Sequence, residues 1–222
     1  AEIGWNHMGD MALAKDMITA AKESGCDFAK FQTWSVDRLK PGVWDTDGRR
    51  EIYEKAELDL DKHIELKNYC DKIDIGFMSS VFSIQDAELL SKVVTDYVKI
   101  PSFESRNENL IHHCLKYFSH ILISTGTSMY DEIKLNTKFL GDDRFTLLHC
   151  VSSYPCKLDI VNLPRIQDLK TLSRSVGFSD HTRGIESAVL SLSYGVKYIE
   201  KHFTIDNDLP GRDNKFAVLP NE

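Results

Sequence analysis

The sequence has no Gly-rich dinucleotide fingerprint, no P-loop and no Cys-x-x-Cys pair. The first two absences weaken an open, nucleotide-binding sheet, and the third argues against structural zinc. The five cysteines, Cys26, Cys70, Cys114, Cys150 and Cys156, are scattered and odd in number, so reduced thiols in a cytoplasmic protein are expected. No apolar run approaches the ~20 residues of a membrane span, so no membrane partner is expected. The opening Ala1-Glu2-Ile3-Gly4 shows neither the basic head nor the apolar stretch of a signal peptide. A Ser/Gly-rich linker is also missing, which leaves one domain over 1–222 as the expectation. A formal net charge of -7 argues against a nucleic-acid partner. It does not exclude an anionic small molecule, because a local pair of lysines can outweigh the global sign.

What the sequence does have is a repeated helix-then-strand pattern. Helical periodicity runs over about 10–24, with Ala12, Leu13, Met17, Ala20 and Ala21 as the buried stripe and Gly25 as its stop. Strands are expected at 28–34, 76–80, 97–101, 120–124, 146–151, 175–179 and 198–204. Helices are expected near 59–73, 84–93, 108–118, 129–139, 163–173 and 185–194. A turn-rich excursion over 35–55 is long for a plain connection and is expected to be a functional loop. With 1–4 as the end of a first strand, eight strands and seven helices alternate. Such alternation implies parallel strands with right-handed crossovers, and eight strands favour a closed (β/α)8 TIM barrel. The barrel is clipped before strand 1 and lacks helix 8, since the sequence after Thr204 reads as loop; a fragment is expected.

In a barrel the active site lies at the C-terminal strand ends. Those ends carry Glu2, Lys30 and Gln32, Ser79 and Ser80, Lys99, Ser102 and Glu104, Ser124 and Thr125, Ser152 and Tyr154, Ser179, Asp180 and His181, then Glu200 and His202. Lysines among hydroxyls suit a phosphate and a carboxylate. Singly, each serine is also explained as a turn residue and each lysine as a snorkelling side chain; their joint recurrence points to a site. His181 and His202 are the metal candidates, because neutral imidazoles suit a divalent ion and two ligands leave room for water and substrate oxygen. Glu2 or Glu200 could complete or support that shell. A pair of hydrogen-bonded core histidines is the competing account, and spacing does not separate the two. His7, after Asn6, is a further candidate, with a cap-and-turn role as its competitor. His149 is expected to be structural or to support a ligand.

Seven stretches together resemble one family. They are Ala1-Glu-Ile-Gly-Trp-Asn-His-Met-Gly9, Lys30-Phe-Gln32, Lys99-Ile-Pro-Ser-Phe-Glu104, Ser124-Thr-Gly126, His149-Cys-Val-Ser-Ser-Tyr-Pro155, Gly177-Phe-Ser-Asp-His-Thr182 and Glu200-Lys-His-Phe-Thr204. In that order, over nearly the whole chain, they resemble the sialic acid (N-acetylneuraminate) synthases. The resemblance implies a barrel that condenses phosphoenolpyruvate with an N-acetylated hexosamine aldehyde and water. The products are a nine-carbon 2-keto sugar acid and phosphate. It implies a divalent cofactor, manganese or magnesium, held by His181 and His202. Lys30, Ser80, Lys99, Ser102, Ser124 and Ser179 would hold phosphoenolpyruvate, and Glu2 would join Lys30, Lys99 and Glu104 in the catalytic group. Gln32, Glu104, Tyr154 and Asp213 would face the amino sugar, with Ser152 also among the substrate contacts, and Glu104 would in addition handle the proton of the attacking water. The family's small antifreeze-like C-terminal domain is absent from this chain; in family homodimers it caps the partner's site. Three stretches depart from the family: Ser79-Ser-Val-Phe82, Ser152 and Gly211-Arg-Asp-Asn214. N-acetylmannosamine, a diacetamido-dideoxy hexose and a 6-phosphorylated sugar all remain open as acceptors. Two other functions are weighed beside this one: a Schiff-base aldolase using Lys99 or Lys201, and a non-catalytic barrel binding a sugar acid or phosphate.

Overall fold

The computed structural model describes residues 1–141 and 143–222. Eight parallel strands pair in sequence order: β1 (Glu2–Gly4), β2 (Phe28–Thr33), β3 (Gly76–Val81), β4 (Tyr97–Ile100), β5 (His120–Ser124), β6 (Phe145–His149), β7 (Val176–Asp180) and β8 (Tyr198–Lys201). The sheet closes on itself where Glu2 bridges His202 in parallel and the Phe203 N–H donates to the Glu2 carbonyl at 2.9 Å. The molecule is therefore the expected (β/α)8 barrel.

The helices are α1 (Met11–Glu23), α2 (Arg49–Ala56), α3 (Leu60–Lys72), α4 (Ile84–Leu90), α5 (Glu108–Tyr117), α6 (Tyr130–Thr137), α7 (Arg165–Leu169) and α8 (Glu186–Ser191). Four of them start where the sequence supplies an oxygen to cap the first turn. Asp10, Asp59, Ser83 and Asn107 each accept a backbone N–H two or three residues on. The excursion after β2 differs from the expected loop. It holds two 3-10 turns, Val36–Arg38 and Val43–Asp45, and then α2. Gly48, at φ 89°, turns the chain into α2, whose few apolar positions give too short a stripe to read as a helix. Helices α7 and α8 are shorter than their periodicity suggests; α8 tightens into a 3-10 turn at Leu192–Tyr194. Among the described residues, no α-helix follows β8, only a 3-10 turn at Asn214–Phe216.

Strand alternation sorts the side chains into two cores. Ala29, Phe31, Phe77, Val81, Val98, Ile100, Ile121, Ile123, Leu147, Val176 and Phe178 point out and pack under the helices. Met78, Leu122 and Leu148 point in, with Phe28, Tyr97 and Tyr198 packed against them, and plug the lumen. One step further along the same inward rows come Lys30, Ser80, Lys99, Ser124, Ser179 and Glu200. The plug is thus the floor of whatever the C-terminal strand ends hold.

Candidate functional site

Above that floor lies a cavity of about 290 Å³. It is lined by Glu2, Lys30, Gln32, Ser80, Lys99, Ser102, Ser124, Ser152, Tyr154, Ser179, His181, His202 and Asp213. Of the residues to which the family resemblance gives a role, Glu104 is missing from this wall, as are the further candidates His7 and Lys201. Trp5, Phe82, Pro101, Phe103, Thr127, Glu200 and Arg212 complete the lining.

The charges form one chain across the lumen. Gln32 Nε2 donates to Glu2 Oε1 at 2.8 Å, and Glu2 Oε2 pairs with Lys30. Lys30 also donates to Ser80 Oγ at 2.9 Å and lies 3.3 Å from Glu200 Oε2. Glu200 Oε1 accepts from Lys99 at 2.6 Å and from Ser179 Oγ at 2.7 Å. Parallel register makes this possible: Ser80 sits beside Lys99, and Ser179 beside Glu200. Burial pushes the Glu200 carboxyl up, but Lys30 and Lys99, with the Lys99 and Ser179 hydrogen bonds, hold it well below the ordinary carboxylate range. Burial likewise pushes Lys30 down, and Glu2 and Glu200 return it above its usual value.

Two consequences follow. All three N–H groups of Lys30 are engaged, by Glu2, Glu200 and Ser80, whereas Lys99 donates to Glu200 alone among the described residues. Glu2 and Glu200 are also committed to the lysines, not to the histidines, as a role in a metal shell would require. Glu200 is the residue that sequence reasoning undervalued: it stands between both ammonium groups.

Around Lys99 stands a set of hydroxyls. Ser102 Oγ lies 2.9 Å from Cys150 Sγ and accepts the Gly126 N–H at 3.1 Å. Ser124 Oγ is buried with no partner among the described residues. Gly126 is required here, since a Cβ would come within 2.6 Å of Ser152 Oγ and 2.7 Å of Cys150 Sγ.

His181 and His202 face each other with ring centroids 5.7 Å apart. His181 Nδ1 lies 2.7 Å from the Val151 carbonyl. A carbonyl only accepts, so Nδ1 carries the proton and Nε2 keeps its lone pair, 3.3 Å from Ser179 Oγ. Burial, reinforced by the neighbouring His202, lowers His181 to about 3. Burial lowers His202 as well, against the pull of Glu2 and Asp213. His202 Nδ1 is buried with no partner among the described residues. Two neutral imidazoles, one oriented by a carbonyl and one unsatisfied, fit a divalent ion that takes its remaining ligands from water and substrate. Among the described residues no group of three His, Cys, Asp or Glu side chains is placed to hold a metal, so the protein would supply only these two. Tyr154 covers the pair, 4.2 Å from the His181 ring, and Arg212 lies over Tyr154 at 5.6 Å while reaching Asp213 at 3.3 Å.

Other candidates fall elsewhere. Glu104 faces a neighbouring cavity on the far side of Phe103, where Asn107 Nδ2 donates to it at 2.8 Å. The 3-10 turn Ser102–Glu104 after β4 is what swings it outward. His7 is fully buried against Phe31 and accepts the Gly9 N–H, a turn role. His149 Nε2 donates to the Val161 carbonyl at 2.7 Å, inside the helix-facing wall. Lys201 does not line the site; it pairs with the buried Asp180 at 3.0 Å and caps the Thr182 carbonyl.

The fold and site define a (β/α)8 barrel with two lysines, a hydroxyl basket and an imidazole pair at the C-terminal strand ends, a set suited to an anionic substrate. Residues 17–222 match the sequence profile of the NeuB family, and the chain belongs to that family. It is 37% identical over 240 residues to the N,N'-diacetyllegionaminic acid synthase of Campylobacter jejuni, covering 100% of this chain and 72% of that protein. It is 35% identical over 234 residues to the pseudaminic acid synthase of Helicobacter pylori, covering 98% and 68%. The N-acetylneuraminic acid synthetase structure from Leptospira borgpetersenii, in complex with citrate, superposes with a TM-score of 0.89 at 31% identity, covering 100% of this chain and 78% of that one. The family and these relatives mark the chain as an enzyme of nonulosonic acid synthesis.

Proposed function

We propose that the protein condenses phosphoenolpyruvate with an N-acylated hexosamine aldehyde and water, giving a nine-carbon 2-keto sugar acid and phosphate. The observation that carries this is Lys99. It is a buried ammonium with spare donors, and it shares one cavity with Ser102, Ser124, Ser179 and the His181–His202 pair. Phosphoenolpyruvate offers a phosphate and a carboxylate to that set, and charge-assisted hydrogen bonds there are stronger than in water. Lys30 reaches the anion by exchanging one of its partners. Ser80 and Gln32 hold Lys30 and Glu2 in place, and Ser152, Tyr154 and Asp213 face the sugar.

The enol carbon of phosphoenolpyruvate forms the new C–C bond to the aldehyde carbon, whose oxygen takes up the electron pair and then a proton. Water adds to the resulting cationic carbon and gives up a proton. The tetrahedral intermediate then breaks its C–O bond to phosphate, its hydroxyl passes its proton to the departing phosphate, and the carbon becomes the ketone. Glu2 and Glu200 are neutralised by lysines, whereas Glu104 has no cation paired with it among the described residues. Glu104 is the carboxylate left for the proton of the attacking water, but it faces the neighbouring cavity, so a bridging water would have to carry the proton to it. A divalent ion, manganese or magnesium, held by His181 and His202 would supply Lewis-acid polarisation of the aldehyde oxygen.

The Schiff-base alternative loses support from the same geometry. Lys99 is hydrogen-bonded to a carboxylate, and Lys201 is tied to Asp180 outside the cavity. A neutral amine is the nucleophile such an aldolase needs. The test is release of inorganic phosphate from phosphoenolpyruvate by the full-length protein with manganese and an acceptor panel. Trapping of a pyruvate adduct by borohydride, activity unaffected by EDTA, or no phosphate release from any acceptor would each overturn the proposal.

A further inference from the structure

The two imidazoles sit one residue past the end of a strand ladder. The register of β7 and β8 ends with Asp180 opposite Lys201, and His181 and His202 are the next residues on each strand. Alternation turns both imidazoles into the cavity and turns the Asp180 and Lys201 side chains to the other face. There the two form a buried pair: Asp180 is fully buried, and the Lys201 side chain is 10% exposed.

Both partners also bond to the backbone beside the ligands. Asp180 Oδ1 accepts the Thr182 N–H at 2.8 Å, and Asp180 Oδ2 accepts from Lys201 at 3.0 Å. Lys201 Nζ donates in addition to the Thr182 carbonyl at 2.6 Å. The residue after His181 is therefore held at its N–H by the residue before His181, and at its carbonyl by the residue before His202. An ion pair that only filled space would not engage both backbone groups of one residue, and buried pairs of that kind are often replaceable by apolar side chains.

The need for such a tie differs between the two rings. His181 has its own anchors: Nδ1 donates to the Val151 carbonyl at 2.7 Å, and its backbone carbonyl accepts the Cys156 N–H at 2.8 Å. His202 Nδ1 has no partner among the described residues, so the hydrogen bond that ordinarily orients a ligating ring is missing there. Its place relative to His181 falls to the chain that carries it, where Phe216 packs on the ring at 5.1 Å and Lys201 ties β8 to the His181 segment.

We propose that Asp180 and Lys201 are positioning residues that fix the separation of the His181 and His202 imidazoles, and with it the affinity of the site for a divalent ion. The proposal rests on reading those imidazoles as the protein's metal ligands. Neither side chain lines the cavity, so the pair acts through the backbone of the ligands. Lys201, a candidate Schiff-base nucleophile by sequence, thus has a different task.

The test titrates manganese alone into the full-length protein by calorimetry, with the melting temperature of each variant recorded beside it. Lys201→Met should weaken manganese binding by at least about tenfold, the loss typical when groups that support metal ligands are removed, while Lys201→Arg, which keeps the charge and the donors, should stay within about threefold of the wild type. With manganese saturating, the KM for phosphoenolpyruvate should stay near the wild-type value in both variants, because Lys99 and its hydroxyls are not bonded to this pair. Unchanged manganese affinity in Lys201→Met, or an equal loss in Lys201→Arg, overturns the positioning role. So does a rise in the KM for phosphoenolpyruvate by the same factor as the metal loss, which would mean a general loosening of the site. If Lys201→Met does not fold, Asp180→Asn decides: it keeps an oxygen for the Thr182 N–H but releases the Lys201 charge, and unchanged manganese affinity there overturns the proposal equally. No heat of manganese binding in the wild type overturns the metal reading itself, and this inference with it.

Discussion

Replacing Glu200 with Gln removes one negative charge from the middle of the Lys30–Glu200–Lys99 chain and changes little else in shape. The side chains of Lys30, Lys99 and Glu200 are 6%, 4% and 14% exposed. Lys30 keeps Glu2, but Lys99 loses its counter-charge. Breaking a buried pair by removing one partner costs about 3–5 kcal/mol, because the remaining charge is stranded. Glu200 borders the cavity, so the lower end applies, roughly 3 kcal/mol. For a chain of this size each kcal/mol shifts the melting temperature by about 2–4 °C, which puts the expected drop near 6–12 °C. Inorganic phosphate restores the missing charge, so it should raise the melting temperature of Glu200→Gln more than that of the wild type. Thermal unfolding near neutral pH and low ionic strength, with and without phosphate, reads both effects. Glu88→Gln, an exposed carboxylate, is the control. A Glu200→Gln protein that melts with the wild type, or that gains no more from phosphate, would show that the charges are not coupled as described.

Further outcomes follow from other residues. His7 is buried and lowered to about 4, chiefly by burial. Its neutral form is favoured by folding, so stability is full above the unfolded value near 6.5 and is lost as pH falls toward 4, by roughly 3 kcal/mol. His7→Asn should flatten that limb in urea titrations across the window; an unchanged limb would remove His7 from the account. Lys99→Ala should raise the KM for phosphoenolpyruvate more than it lowers kcat, and a normal KM would sink its anion role. His181→Ala and His202→Ala should each abolish the heat of manganese binding in calorimetry, and an unchanged titration counts against the metal assignment. Gly126→Ala should push the Ser102 and Ser152 hydroxyls aside, costing about 1–3 kcal/mol and weakening phosphoenolpyruvate in steady-state kinetics.

The period-2 rows explain why so much of the fold was readable. On β2, Phe28, Lys30 and Gln32 share one face, and Ala29, Phe31 and Thr33 the other; the same parity repeats on β3, β4 and β5. A local pattern thus fixed which side chains enter the lumen, and the register fixed their height. What it could not give is contact across the lumen. Glu200 and Lys99 meet although they lie far apart in sequence and on opposite strands of the closed sheet. Only closure brings β8 against β1 and within reach of β4. Glu104 shows the complementary failure. It lies just beyond a strand, where parity no longer applies, and one 3-10 turn carries it into the neighbouring cavity.

The same distinction bears on how the site recognises an anion. Two lysines, on β2 and β4 either side of β3, suggest a free positive pocket, but each arrives with a carboxylate, and those four charges cancel. A neutral cluster does not attract anions by its net field; it selects them by offering donors in a fixed place. Lys30 has none to spare, and Lys99 has two. Binding should therefore depend more steeply on Lys99 than on Lys30, although both are equally buried. Lys30→Met should cost stability first, since it strands Glu2 and half of Glu200, whereas Lys99→Met should cost affinity first. Paired measurements of melting temperature and phosphoenolpyruvate KM on the two variants separate these roles. Equal losses on both axes would mean that the lysines act as one undivided charge, contrary to the hydrogen-bond count.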